Sequence, residues 1–138
     1  MGEALITKRG SNKNENYKIT FKTTTTDGDN AQPYSDKRSV VKKFDISAIK
    51  NKFSHIYVSG GVNGGDTIHR GIFSMLENKF LLSYSALGDD NYFDAQYIYR
   101  YNTSYLGFEI IDDYLICFVQ GGNQSSVTNN HLFNLEFM

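Results

Sequence analysis

Tyr105-Leu-Gly-Phe-Glu-Ile-Ile111 and Tyr114-Leu-Ile-Cys-Phe-Val-Gln120 stand on either side of Asp112-Asp113. Two apolar runs around a pair of turn-forming acids predict a β-hairpin. A second hairpin is predicted upstream, where runs over 67–76 and 80–87 flank Glu77-Asn-Lys79. Downstream, residues 131–138 alternate with Phe133, Leu135 and Phe137 on one face. The strand over 17–22 alternates in the same way, with Tyr17, Ile19 and Phe21 together. Between these lie a strand at 39–44, one at 54–59 with Ile56 and Val58 inward, and one at 92–101. Asp45 is placed to cap a short helical turn that sets Ile46, Ile49 and Phe53 on one side.

The connecting stretches are polar or rich in glycine. Residues 23–36, containing Asp27-Gly-Asp-Asn30 and Pro33, read as a long turn or loop. Gly60-Gly-Val-Asn-Gly-Gly65 reads as a turn, Gly88-Asp-Asp-Asn91 as another, and 121–130 as a polar loop. The pattern amounts to about nine strands with turn signals every 8–12 residues. It predicts an all-β chain folded as an antiparallel β-sandwich, with a jelly roll as its candidate topology. At 138 residues the chain fits one domain with a real core. The 10 Tyr and 10 Phe suit half-buried pleated surfaces, and the single proline and 12 glycines suit strands joined by tight turns.

Composition excludes several function classes. A net charge of -1 gives no general grip on nucleic acid, which needs a surplus of cations. The basic cluster Lys37, Arg38, Lys42 and Lys43 reads as a solvated strand face. No stretch is long and apolar enough to span a membrane, and the N-terminal apolar triplet is far short of a signal-peptide core. The expected site of synthesis is therefore a cytoplasm. Cys117, the one cysteine, lies in an apolar run and reads as a buried structural thiol.

Candidate chemistry is sparse. His55, His69 and His131 lie on separate predicted strands without the close spacing of metal ligands, so each is expected at a strand face or edge. Asp89-Asp90 and Asp112-Asp113 could serve as an acid and base pair but read first as turn residues. Asp27-Gly-Asp-Asn30 carries calcium-type oxygen ligands without the closing glutamate of a calcium loop. Gly60–65 lacks the lysine and helix start of a phosphate cradle, and no serine sits in a nucleophile elbow. The chain is therefore expected to be no enzyme, with no cofactor and no metal. Tyr92, Tyr97, Tyr99, Tyr101 and Tyr105 form a tyrosine ladder. Phe93, Ala95, Tyr97, Tyr99 and Tyr101 are expected on one face. The ladder reads as core packing, with a protein interface or a sugar-stacking platform as alternatives.

The first 16 residues stand apart from this body. Ala4, Leu5 and Ile6 form a short apolar anchor, Thr7, Lys8, Arg9 and Gly10 follow, and a polar spacer runs to Asn16. The division is thus an arm and spacer over 1–16 and a sandwich domain over 17–138. The segment Leu5-Ile6-Thr7-Lys8-Arg9-Gly10 with its spacer resembles the start of small β-rich virion proteins of tailed bacteriophages that infect Gram-positive hosts. The resemblance covers about ten residues. It implies a structural subunit of a tail, neck, baseplate or capsid fibre, located in the virion and made in the host cytoplasm. Its partners would be other virion proteins, with homo-oligomers formed through the arm. A carbohydrate- or receptor-binding module, reading a host-surface glycan through the tyrosines, is the alternative.

Overall fold

The structure is a computed structural model and describes residues 17–24, 32–35, 38–62, 68–86, 96–121 and 125–138. Ten strands and one helical turn are present among them: β1 (Tyr17–Lys22), β2 (Gln32–Ser35), β3 (Arg38–Asp45), β4 (His55–Val62), β5 (His69–Ser74), β6 (Lys79–Ser85), β7 (Tyr97–Tyr101), β8 (Ser104–Ile111), β9 (Tyr114–Gln120), α1 (Ser125–Thr128) and β10 (His131–Phe137). They form two five-stranded antiparallel sheets, ordered β1-β10-β4-β5-β6 and β2-β3-β9-β8-β7. The fold is an all-β sandwich, as the alternation and turn spacing predict. The chain passes between sheets at β1–β2, β3–β4, β6–β7 and β9–β10. The pairs β1·β10 and β3·β9 nest as in a jelly roll, while β4-β5-β6 and β7-β8-β9 are plain meanders.

The core follows from the period of two. Phe133, Leu135 and Phe137 on β10 are buried, as are Ile56 and Val58 on β4, while Asn134 between them faces solvent. The sheets lock through phenylalanines. Phe80 meets Phe108 at 6.2 Å, Phe108 meets Phe133 at 5.6 Å, and Phe21 meets Phe44 at 5.1 Å. Each of the fully buried rings among them, Phe80, Phe108 and Phe133, contributes roughly 2–3 kcal/mol of transfer free energy. Beside β3, Asp45 accepts the Ser47 N–H at 2.9 Å and Lys50 N–H reaches the Ile46 carbonyl at 2.8 Å. The capped turn is therefore present. It buries Ile46 and packs Ile49 and Phe53 against the core.

Several expectations are corrected. Part of 23–36 is strand: β2 pairs with β3 and includes Pro33, which an edge strand accommodates because one side needs no N–H donor. Gly60 and Gly61 belong to β4 rather than to a turn. A Cβ on Gly60 would lie 2.6 Å from the Phe133 ring, so glycine is required there for close approach. Residues 125–128 of the expected polar loop form α1, with Val127 and Thr128 fully buried. The Asp112-Asp113 turn is as expected, with Asp112 at φ 54.

Candidate functional site

The tyrosine ladder does not survive as one face. Tyr97 pairs with Gly107 and Tyr99 with Leu106, so a bulge at Ile98 lies between them. A bulge reverses the alternation, and it turns Tyr97 to the outer face of the second sheet and Tyr99 into the core. Tyr105 joins Tyr97 outside, with ring centroids 4.6 Å apart, and Tyr101 is exposed at the end of β7. Tyr92 lies outside the described residues, as do Phe93 and Ala95.

Around Tyr97 the outer face carries a polar cluster built on Arg38, which was expected on a solvated strand face. The Arg38 guanidinium lies 4.5 Å from the Phe118 ring centroid, a cation–π contact. Arg38 donates from Nη1 to Glu109 at 3.0 Å and from Nε to Gln120 at 3.0 Å. The Tyr34 hydroxyl donates to the same Glu109 oxygen at 2.9 Å, and Tyr97 donates to Gln120 at 3.2 Å. Burial raises the Tyr34 pKa, and the Glu109 carboxylate raises it further. Gly107 makes room for this layer, since a Cβ there would meet Phe118 at 2.8 Å and the Gln96 carbonyl at 2.3 Å. The cluster joins β2, β3, β7, β8 and β9. One oxygen of its carboxylate accepts two donors, and its guanidinium also points Nη2 at Gln96 and Tyr97, each at 3.4 Å. Such an arrangement ties all five strands of the second sheet together.

The histidines occupy two kinds of environment. His69 and His131 lie on faces of β5 and β10, as expected, but on the inner ones. Both are buried, 4.8 Å apart between ring centroids, with Tyr99 at 4.9 and 5.3 Å and Phe133 stacked against both. His69 Nδ1 lies 2.7 Å from the Ser85 hydroxyl. His69 Nε2 and both nitrogens of His131 have no hydrogen-bond partner among the described residues. Burial pushes His131 down to about 4. Burial, then the neighbouring His131, pushes His69 down to about 3. Below the pair, Thr23 is fully buried and ties β1 to β10: its hydroxyl accepts the His131 N–H at 2.9 Å and donates to the Thr128 carbonyl at 2.8 Å. His55 stands apart on β4, 2.6 Å from Ser54 Oγ. Among the described residues, no three His, Cys, Asp or Glu side chains converge in a metal-binding group.

The inward placement of the pair was legible in part. His131 shares the period of Phe133 and Phe137, and His69 that of Phe73. Their meeting needs the β10-β4-β5 order, which no local pattern encodes. The remaining candidates divide simply. Cys117 is buried in β9. Asp112 and Asp113 are exposed turn residues. The arm residues Ala4 to Gly10, the 27–30 loop, residues 63–67 and Asp89-Asp90 lie outside the described residues.

Two apolar features face outward. On the first sheet, Tyr57, Ile72 and Leu82 stand in register across β4, β5 and β6, with Tyr84 beside them. At one end of the sandwich a groove of about 280 Å³ is lined by Phe53, Met75, Leu76 and Ile110, with Lys50, Asn51 and Ser54. Scans against protein-family models, the curated proteins and the solved structures return no match to this chain.

Proposed function

We propose that this chain is a structural subunit of a bacteriophage virion, assembling through its N-terminal arm into a symmetric particle as part of a tail, neck, baseplate or capsid decoration. The observation that carries the assembly half of this reading is uncovered apolar surface. Leu76 is 93% exposed, Leu82 57% and Tyr84 44%, and the Tyr57–Ile72–Leu82 row runs across three strands. Contiguous apolar surface of this kind marks an interaction face, because a free monomer carrying it is prone to aggregate. β6 is an edge strand with an extra residue, Leu81, bulged between Leu82 and Phe80. A bulge blunts strand-on-strand pairing, which favours side-chain burial as the mode of contact. The virion half rests on the resemblance of Leu5–Gly10.

The glycan-binding alternative has less support. Of the four described tyrosines, Tyr97 and Tyr105 share the outer face, and Tyr97 is engaged with Arg38 and Gln120. The test is incorporation: particles assembled with chain lacking residues 2–10 should be depleted of it, as measured by quantitative mass spectrometry of purified virions. Undiminished incorporation would sink the proposal.

A further inference from the structure

We infer that the groove lined by Phe53, Met75, Leu76 and Ile110 seats the arm of a second copy of this chain. Leu5 and Ile6 fill the groove, while Lys8 and Arg9 reach the carboxylates of Glu77, Asp112 and Asp113 beyond its lining. The inference rests on the assembly reading above and names the surface that the arm would grip.

Three observations carry it. The first is size and chemistry. At about 280 Å³ the groove is smaller than a typical small-molecule pocket and is walled by flexible apolar side chains, including a methionine. It suits a short aliphatic segment, and Ala4-Leu5-Ile6 is the aliphatic run of the arm. Leu76 stands almost wholly in solvent at its lip, so a segment lying there would bury a side chain that nothing else among the described residues covers.

The second is position. Phe53 meets Phe137 at 6.0 Å, and Tyr17 meets the same ring at 5.5 Å. The arm therefore joins the sandwich at the end where the groove opens. Residues 7–16 span roughly 35 Å when extended, which is enough to cross to a neighbour presenting the same end. An arm folded back on its own groove would cover Leu76 but link nothing.

The third is charge. Glu77 follows Leu76, and Asp112 and Asp113 follow the strand that supplies Ile110. Lys50 donates to the Asp112 carbonyl and lies 3.6 Å from Asp113, and Lys79 lies 3.7 Å from Glu77. These are exposed pairs of small worth that Lys8 and Arg9 can join or displace. The Asp112 carboxylate belongs to no ion pair among the described residues. An apolar run followed by two cations thus meets a groove whose one charged lining residue is Lys50, with three carboxylates just beyond it.

The test uses full-length chain with Leu5→Asp or Leu76→Asp. Leu76 is solvent-exposed, and circular dichroism checks that each variant folds. In sedimentation velocity, wild type associates and each variant alone is monomeric. An equimolar mixture of the two forms a dimer, because the intact arm of one variant meets the intact groove of the other. Oxidation of mixed Leu5→Cys and Leu76→Cys chains yields a disulfide between copies. If Leu76→Asp associates like wild type while Leu5→Asp does not, the arm grips elsewhere. The groove inference then falls and the arm reading stands. If wild type is a monomer, or Leu5→Asp associates normally, the groove inference falls, and virion incorporation alone decides the assembly reading. A Leu5→Cys, Leu76→Cys double variant that closes its disulfide within one chain overturns exchange between copies.

Discussion

Lowering the pH from 7 to 5 probes the buried histidine pair most directly. In the unfolded chain each imidazole titrates near 6.5. In the folded chain His131 is held down to about 4 and His69 to about 3. Between these values the unfolded state binds protons that the folded state refuses. Stability is therefore complete above pH 6.5 and is lost as pH falls toward the folded values. At pH 5 each ring has cost about 2 kcal/mol, the pair about 4, and the slope for the pair is about 2.5 kcal/mol per pH unit. Against the roughly 5–15 kcal/mol of an ordinary domain, that is a large fraction. Ordinary carboxylates titrate near pH 4, so the interval from 6.5 to 5 isolates the histidines. The assay is urea unfolding at a series of pH values, followed by circular dichroism and by tyrosine fluorescence, since the chain has no tryptophan. His131→Leu, which removes one titrating ring, should roughly halve the slope. A stability that stays flat from pH 7 to 5, or a slope unchanged in His131→Leu, would refute the claim that both rings are buried neutral.

Three further outcomes are expected from the same unfolding assay at pH 7. Thr23→Val removes the acceptor of the His131 N–H and the donor to the Thr128 carbonyl, and should cost about 1–3 kcal/mol. A cost near zero would mean that the network is not closed as described. Gly107→Ala forces a Cβ against the Gln96 carbonyl and the Phe118 ring, and should cost about 1–3 kcal/mol by overpacking. Arg38→Leu leaves Glu109 with Tyr34 alone in a half-buried setting and should cost about 1–3 kcal/mol. Arg38→Lys should recover only part of that loss, because an ammonium cannot reproduce the fork of contacts to Glu109 and Gln120.

How far the sequence carried the reading differs from residue to residue. Phe133, Leu135 and Phe137 announce their burial because alternation along a strand is a local property of the pleat. Asp45 announces its cap for a similar reason, since the acceptor and the Ser47 N–H are neighbours in the chain. The tyrosines did not announce theirs. From 97 onward the strand alternates as if continuous, yet the register against β8 slips by one residue, and Tyr97 and Tyr99 go to opposite faces. The slip is set by pairing between strands and leaves no mark in the period. Arg38 was read with its basic neighbours as solvated. Whether a guanidinium meets Phe118, Glu109 and Gln120 depends on β9 and β8 lying beside β3.

The sequence by itself determined the class of fold: strands by alternation, turns by their residues, and an N-terminal segment of a different character from the body. These follow from steric and solvation preferences that act within a few residues. The tertiary structure decided the rest: which strands are neighbours, where the ladder breaks, and that His69 and His131, 62 positions apart in the numbering, share one buried space. It also decided that Phe53, Met75, Leu76 and Ile110 line a single groove. Those are matters of long-range pairing, where the free energy of contact is shared between segments and neither one alone records it.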